Sequence, residues 1–291
     1  MFKNNLFIKK INILRMDHWV KNLVVFFPLI FSNNFLDITN LILAFKIFCH
    51  FCFLSSAVYI FNDIIDLDSD KEHPVKKFRA LPLKVISIKE AILLHILLIV
   101  ISFFFINKEI FYITVIYLLI NYLYSLFLKD FFIIDIICVS TGYYLRILAI
   151  SSSANIILTN HFIILIFLGA LFILLSKRYL GIKFSKKIDN KNVMFLYFKI
   201  YKIASIFMLI IFSIIYSNYI FGDILDSKIP ILLALIISQI VVTYILIKFY
   251  KLVVKLEKDE NPVNIFFNNW QISLSSLFWV IYNIIIYSYV L

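Results

Sequence analysis

Nine runs of about twenty predominantly apolar residues follow one another along this 291-residue chain, with the charged residues gathered between them. A run of that length crosses the hydrocarbon core of a bilayer as a helix, so the pattern predicts membrane helices near residues 17–33, 40–61, 88–106, 110–128, 132–150, 158–177, 201–221, 229–249 and 271–290. A chain that is 63% hydrophobic, with a mean hydropathy of +0.98 and four glycines, is not a soluble domain. The expected fold class is all-α: a polytopic membrane protein with nine transmembrane helices. The 32 phenylalanines read as lipid-facing and core filler. No periodic repeat and no linker rich in Pro, Gly or Ser divides the chain, so residues 1–291 are expected to form a single domain.

The net charge of +11 would point to nucleic acid in a soluble protein; here its distribution reads as topology and phosphate binding, with no nucleic-acid partner. Lys3, Lys9, Lys10 and Arg15 stand among Leu and Ile in a basic amphipathic lead-in over residues 1–21, suited to an anionic leaflet. With the amino terminus in the cytoplasm, the inside segments take this lead-in, residues 62–90, Lys129, residues 177–202 and residues 248–258, and the outside loops keep only Lys108 and Lys228. The positive-inside rule therefore predicts a multi-pass cell-membrane protein with a cytoplasmic amino terminus, an external carboxyl terminus and cytoplasmic cap loops at residues 62–87 and 178–200. No cleavable signal peptide is expected. Cys49, Cys52 and Cys138 all lie inside apolar runs, an odd number that argues against a disulfide framework.

The densest polar stretch is Asn62 to Leu83. Asn62, Asp66 and Asp70 are spaced i, i+4, i+8, and Asp63 joins Asp66 and Asp70 at i+3 and i+7, so a helix would carry all four on one face. Carboxylates gathered at the mouth of a membrane helix need a compensating cation, and a hard divalent ion such as Mg2+ matches one amide and three acids. Lys71, Lys76, Lys77 and Arg79 follow directly, placed to neutralise a phosphate on that ion. The alternative reading is a solvated mixed-charge loop.

The order Asn62-Asp63-x-x-Asp66-x-x-x-Asp70, then Lys76 and Arg79, resembles the first aspartate-rich motif of the UbiA superfamily of intramembrane prenyltransferases. With His73-Pro74 and Lys76-Lys77-Phe78-Arg79 it looks most like the decaprenyl-phosphate phosphoribosyltransferase branch. Arg15-Met16-Asp17-His18-Trp19-Val20-Lys21-Asn22, with Phe26-Phe27-Pro28-Leu29 after it, is similar to the branch's R-P-x-Q-W-x-K-N segment; Met16 and His18 depart from it while Lys21 and Asn22 keep the spacing. Tyr124 and Lys129, followed by Asp135, resemble the branch's Y-S-x-x-L-K segment and its aspartate. Lys177 and Arg178 resemble its G-K-R-R segment, with Tyr179 in place of an arginine. Asn261-Pro262-Val263-Asn264 and Asn269 stand where the branch carries acids and are given no role. Arg146, eleven residues after Asp135, is an intramembrane arginine that either holds a lipid phosphate or pairs structurally with a carboxylate elsewhere; the structural role is favoured. Gly142 on the same run would permit close helix packing.

The resemblance implies a UbiA-like bundle and Mg2+-dependent transfer of 5-phosphoribose from phosphoribosyl pyrophosphate to a polyprenyl phosphate. Asn62, Asp66 and Asp70 would hold the metal, with Asp63 bound to it directly or through another ligand, so that Asp63, Asp66 and Asp70 are the catalytic carboxylates, and Lys21, Asn22, Lys76, Arg79, Tyr124, Lys129, Asp135, Arg146, Lys177 and Arg178 would contact substrate. Lys177, Arg178, Lys183, Lys186 and Lys187 precede the first acid of the second loop, Asp189, which favours this reading over prenyl transfer from a pyrophosphate to an aromatic acceptor. A membrane transporter is the alternative from another class; its expected internal symmetry and broken helices are not evident.

Overall fold

The computed structural model describes residues 10–73, 75–129, 132–183, 191–221, 229–256, 265 and 268–289, and the described residues are helices and their connections with no strand among them. Two short 3-10 segments, Asn12–Leu14 and Met16–Phe26, lead into α1 (Phe27–Phe31). Then come α2 (Ile38–Ile65), α3 (Leu67–Glu72), a 3-10 turn at Lys76–Phe78, α4 (Ile88–Phe103) and α5 (Lys108–Leu123), which ends in a π turn over Tyr124–Leu128. α6 (Phe132–Ala154), α7 (Asn160–Lys183), α8 (Lys191–Phe221), α9 (Ile229–Lys255) and α10 (Trp270–Tyr289) complete the chain.

Helix starts follow local chemistry. Asp37 Oδ1 accepts the Thr39 N–H at 2.8 Å to open α2, and Asn107 Oδ1 accepts the Ile110 N–H at 3.2 Å to open α5. Ser87 and Glu90 form a reciprocal capping box at α4, Ser87 Oγ accepting from the Glu90 N–H at 3.2 Å and Glu90 Oε2 accepting from the Ser87 N–H at 2.7 Å.

Every apolar run has a helical counterpart, but several bounds move. α2 runs on to Ile65 rather than stopping near 61, and α8 starts at Lys191 rather than 201. The expected 178–200 loop is consequently helical at both ends, up to Lys183 and again from Lys191; Lys186, Lys187 and Asp189 lie outside the described residues, as do Lys3, Lys9, Pro74, residues 222–228 and Asn261 to Asn264. Among the described residues, six helices are long and apolar enough to cross a membrane: Ile38–Ile65, Lys108–Leu128, Asn160–Leu180, Lys199–Ile220, Leu233–Lys255 and Trp270–Ser288. α4, with 16 residues, falls short of the usual spanning length of about 20.

Where the sequence pattern shows no boundary, the chain gathers into two compact units: Met1–Pro28 with Asp37–Ile156, and Leu29–Leu36 with Ile157–Leu291. In the former, α2 packs on α4, α5 and α6 and on the 3-10 segment. That segment winds with three residues per turn, so Trp19, Asn22 and Val25 fall in one line. Trp19 Nε1 donates to Ser56 Oγ at 2.9 Å, Asn22 Nδ2 reaches Cys52 Sγ at 3.3 Å, and Val25 is fully buried. Trp19 is thus tied to α2 by its indole nitrogen.

Apolar surroundings offer no competing hydrogen bonds, so buried polar groups pair between helices. His50 on α2 donates from Nδ1 to the Ser102 carbonyl of α4 at 3.0 Å, which leaves Nε2 to accept the Thr114 hydroxyl of α5 at 3.0 Å. In the other unit, Tyr216, Ser238, Trp279 and Asn283 join α8, α9 and α10: the Tyr216 and Ser238 hydroxyls lie 2.7 Å apart, and Ser238 donates to Asn283 Oδ1 at 3.0 Å. Lys183 closes the end of α9 by donating to the Val254 and Leu256 carbonyls at 2.9 and 2.6 Å.

Thr114→Val removes the hydroxyl that satisfies His50 Nε2 without changing side-chain shape much. It should lower stability by about 1 kcal/mol, read as a lower thermal unfolding midpoint of the purified protein in detergent.

Candidate functional site

The polar end of α2 is built by one interruption. Asp66 takes φ −84 and ψ 4, outside helical values, and serves at once as the last cap of α2 and the opening cap of α3. Its N–H still bonds the Asn62 carbonyl at 2.9 Å, and the Asp70 N–H bonds the Asp66 carbonyl at 2.8 Å. The four-residue rhythm therefore survives the break, and Asn62 Nδ2 donates to Asp66 Oδ2 at 3.0 Å across one turn.

Asp63 and Asp70 are buried, at 4% and 1% exposure, deep enough that each needs a partner. Arg79 supplies it to both: its Nη1 donates to Asp63 Oδ1 at 3.0 Å and to Asp70 Oδ2 at 2.6 Å. Arg15 also donates through Nη2 to Asp63 Oδ1. Lys76 stands 3.3 Å from Asp70 Oδ1, an oxygen that accepts no hydrogen bond among the described residues. Lys129 donates to Asp66 Oδ1. The π turn aims this lysine, for the Lys129 N–H bonds the Tyr124 carbonyl, five residues back instead of four, at 3.1 Å.

Four cations from three parts of the chain thus interleave with three carboxylates. Beside them lies a cavity of about 270 Å³ lined by residues that include Asn12, Arg15, Asp63, Lys76, Phe78 and Arg79. As they stand, no three His, Cys, Asp or Glu side chains among the described residues converge on a metal position, because the cations sit between the acids. The donor set nevertheless fits a hard divalent ion: it is all oxygen, it falls on consecutive turns, and it includes the hydrogen-bond-free Oδ1 of Asp70.

A second polar group lies within the same unit, built around Arg146, which is 7% exposed. Its Nε donates to Asn22 Oδ1 at 2.7 Å, Nη1 to the Gly142 carbonyl at 2.6 Å and Nη2 to the Tyr117 hydroxyl at 2.9 Å, with the rings of Tyr117 and Phe51 within 5.1 and 5.5 Å of its guanidinium carbon. The structural role anticipated for Arg146 involved a carboxylate; among the described residues its partners are an amide, a carbonyl and a phenol. Asn22 is fully buried in the same network, so this pair holds the 3-10 segment, α5 and α6 together. Gly142 serves the arginine as well as the packing: a Cβ there would stand 3.3 Å from Arg146 Nη1.

The remaining anticipated residues are dispersed. Lys21 is half-buried on the 3-10 segment and forms no ion pair among the described residues. Tyr124 is half-buried at the start of the π turn. Asp135 lies on α6, but its side chain is outside the described residues. Lys177 and Arg178 are exposed on α7 in the other unit. Arg15, expected only as part of the basic lead-in toward an anionic leaflet, is a site residue that residue order alone does not reveal: its partner Asp63 lies 48 residues away. Its one signal was its place at the head of the Arg15 to Asn22 motif.

The model of the UbiA prenyltransferase family matches residues 24–271. Two curated relatives bear the name decaprenyl-phosphate phosphoribosyltransferase: that of Mycolicibacterium smegmatis is 29% identical over 195 residues, covering 64% of this chain and 61% of the relative, and that of Corynebacterium glutamicum is 33% identical over 193 residues, covering 62% and 57%. The chain therefore spans about three fifths of the length of these relatives. Among solved structures, a UbiA homolog from Archaeoglobus fulgidus bound to DMAPP and Mg2+ shares the fold, with a TM-score of 0.67 at 20% identity over 97% of this chain and 99% of that one. A match over so much of the chain, together with this fold, shows that the protein belongs to the UbiA prenyltransferase family.

Proposed function

We propose that this chain transfers a 5-phosphoribosyl group from phosphoribosyl pyrophosphate to a polyprenyl phosphate in the membrane and releases pyrophosphate. The observation that carries this reading is the interleaving of Asp63, Asp66 and Asp70 with Arg15, Lys76, Arg79 and Lys129 beside a cavity. Such a group can exchange its internal ion pairs for a metal on the acid side and phosphates on the basic side. The names of the two bacterial relatives support the phosphoribosyl donor.

In this scheme Asn62, Asp66 and Asp70 would hold Mg2+, which supplies charge neutralisation to the departing pyrophosphate. The solved Archaeoglobus homologs bound to Mg2+ support the choice of metal. Asp63 keeps Arg15 and Arg79 oriented by accepting from both. Lys76 and Lys129 neutralise oxygens of the leaving group, more strongly as charge gathers on it, which lowers the barrier, and Arg79 meets a substrate phosphate with the donors its ion pairs leave over. Tyr124 and Asp135 are assigned to ribose hydroxyls, and Lys21, Lys177 and Arg178 to phosphate. For Asn22 and Arg146, mutual bonding favours positioning over substrate contact. The acceptor's phosphate oxygen is already anionic at neutral pH. It attacks the anomeric carbon as the bond from that carbon to pyrophosphate breaks, so no enzymic nucleophile is required. We further assign nine membrane crossings, a cytoplasmic amino terminus and a site and cap segments on the cytoplasmic side, where a soluble polar donor is available.

The second reading is transfer of a prenyl group from its pyrophosphate to an aromatic acceptor. It is favoured by the structurally similar Archaeoglobus homologs bound to DMAPP and GPP.

Purified protein in detergent, given Mg2+, radiolabelled phosphoribosyl pyrophosphate and a short polyprenyl phosphate, should move label into the organic phase. Chelating Mg2+ or substituting Asp66→Ala should each reduce that label by about a hundredfold or more. Absence of label, with product formed instead from a polyprenyl pyrophosphate and an aromatic acceptor, would select the second reading. Lys129→Ala should cost about tenfold or more in kcat/KM, and Lys129→Arg should recover part of it, because a cation facing Asp66 is what the position requires.

A further inference from the structure

The cavity beside Asp63 touches none of the three residues assigned to Mg2+. Its lining brings Arg15, Lys76 and Arg79 against a single carboxylate, so it is a cationic pocket. Most of the hydrogen-bonding capacity of its two arginines is uncommitted. Arg15 uses only Nη2, toward Asp63, and Arg79 uses only Nη1, toward Asp63 and Asp70; the other N–H groups of both guanidinium forks have no protein partner among the described residues. Two forks with donors to spare across a cavity of about 270 Å³ suit a tetrahedral oxyanion, which each can grip with paired bonds.

The backbone supports a dedicated role for Arg15. It sits at φ 48 and ψ 49, the left-handed region that residues with a Cβ rarely enter, between the Asn12–Leu14 and Met16–Phe26 segments. This turn carries Arg15 to Asp63 and leaves the exposed Asn12 on the rim of the same cavity.

Pyrophosphate bound through the metal, with Lys76 and Lys129 beside it, accounts for one end of a donor. A prenyl pyrophosphate has no other anionic end, whereas a phosphoribosyl donor carries a second, separate phosphate on the ribose. We propose that Arg15 and the uncommitted donors of Arg79, with Asn12 at the rim, form a second anion subsite that receives this remote phosphate, making Arg15 a donor-specificity residue. The inference rests on the phosphoribosyl reading above and adds to it the group that tells one donor from another.

The test measures binding of phosphoribosyl pyrophosphate, inorganic pyrophosphate and geranyl pyrophosphate to the purified full chain in detergent with Mg2+, by titration calorimetry. The wild type should bind phosphoribosyl pyrophosphate about tenfold or more tighter than pyrophosphate. Arg15→Gln should cut that ratio to about two while retaining pyrophosphate binding. Asn12→Asp, an exposed change that adds a like charge at the rim, should lower the ratio in the same direction with folding intact. A ratio near one in the wild type, or one untouched by both variants, overturns the subsite while leaving the metal and pyrophosphate assignments standing. Arg15→Gln weakening both ligands equally, with Asn12→Asp without effect on the ratio, also overturns it. Tight binding of geranyl pyrophosphate with none of phosphoribosyl pyrophosphate removes the phosphoribosyl reading and the subsite with it.

Discussion

One guanidinium nitrogen between two buried carboxylates organises the polar end of the Asp63 unit. Asp63 and Asp70 lie on either side of a helix break, and Arg79, from beyond the Lys76–Phe78 turn, reaches both. Without that bridge, Asp63 would keep only Arg15 and Asp70 only Lys76 as cationic partners among the described residues, and nothing would tie the two acids together. The bridge also pins the 67–83 segment against the end of α2, since Asp70 and Arg79 belong to its two halves. Arg15 from the lead-in and Lys129 from the end of α5 complete the arrangement, so segments far apart in the chain meet through charge at the same place. The assembly is balanced internally and can be rebalanced by a ligand, which a purely apolar contact cannot do.

Arg146 shows the same constraint solved differently. It is buried among neutral acceptors and aromatic faces, with its charge spread over the Asn22 amide, the Gly142 carbonyl, the Tyr117 hydroxyl and adjacent rings. An arginine held this way resists exchange, because its Nε and both terminal nitrogens already have partners. The acid-rich site and the Arg146 node are therefore suited to opposite tasks, one to giving up its pairings and the other to keeping them. The Tyr216, Ser238, Trp279 and Asn283 group plays the second part within its own unit.

Much of this was legible from residue order. Helix positions followed from apolar runs, because lipid or a helix core demands the same side chains over the same length. Their ends did not follow: α2 keeps going to Ile65 since its last-turn carboxylate has a cation to meet, and α8 starts ten residues early through Lys191 to Ile200, where hydropathy is diluted but helix geometry is not. The i, i+4 spacing foretold the Asn62 and Asp66 contact. It did not foretell Arg15, whose approach depends on a left-handed turn that no periodicity marks. Nor did it foretell that Arg146 would satisfy itself on an amide 124 residues away rather than on a carboxylate.

The 3-10 winding of Met16–Phe26 carries one more consequence, for insertions and deletions. With about 2.0 Å of rise per residue, its eleven residues extend about 22 Å, a distance for which an α-helix would need about fifteen. Its contact line of Trp19, Asn22 and Val25 repeats every three residues, so adding or losing one residue turns the remainder of the line by a third of a circle away from Ser56, Ser55 and Cys52. Related chains that vary in length here should therefore do so in threes, which preserve the face toward α2 and shift the downstream chain along the axis by about 6 Å.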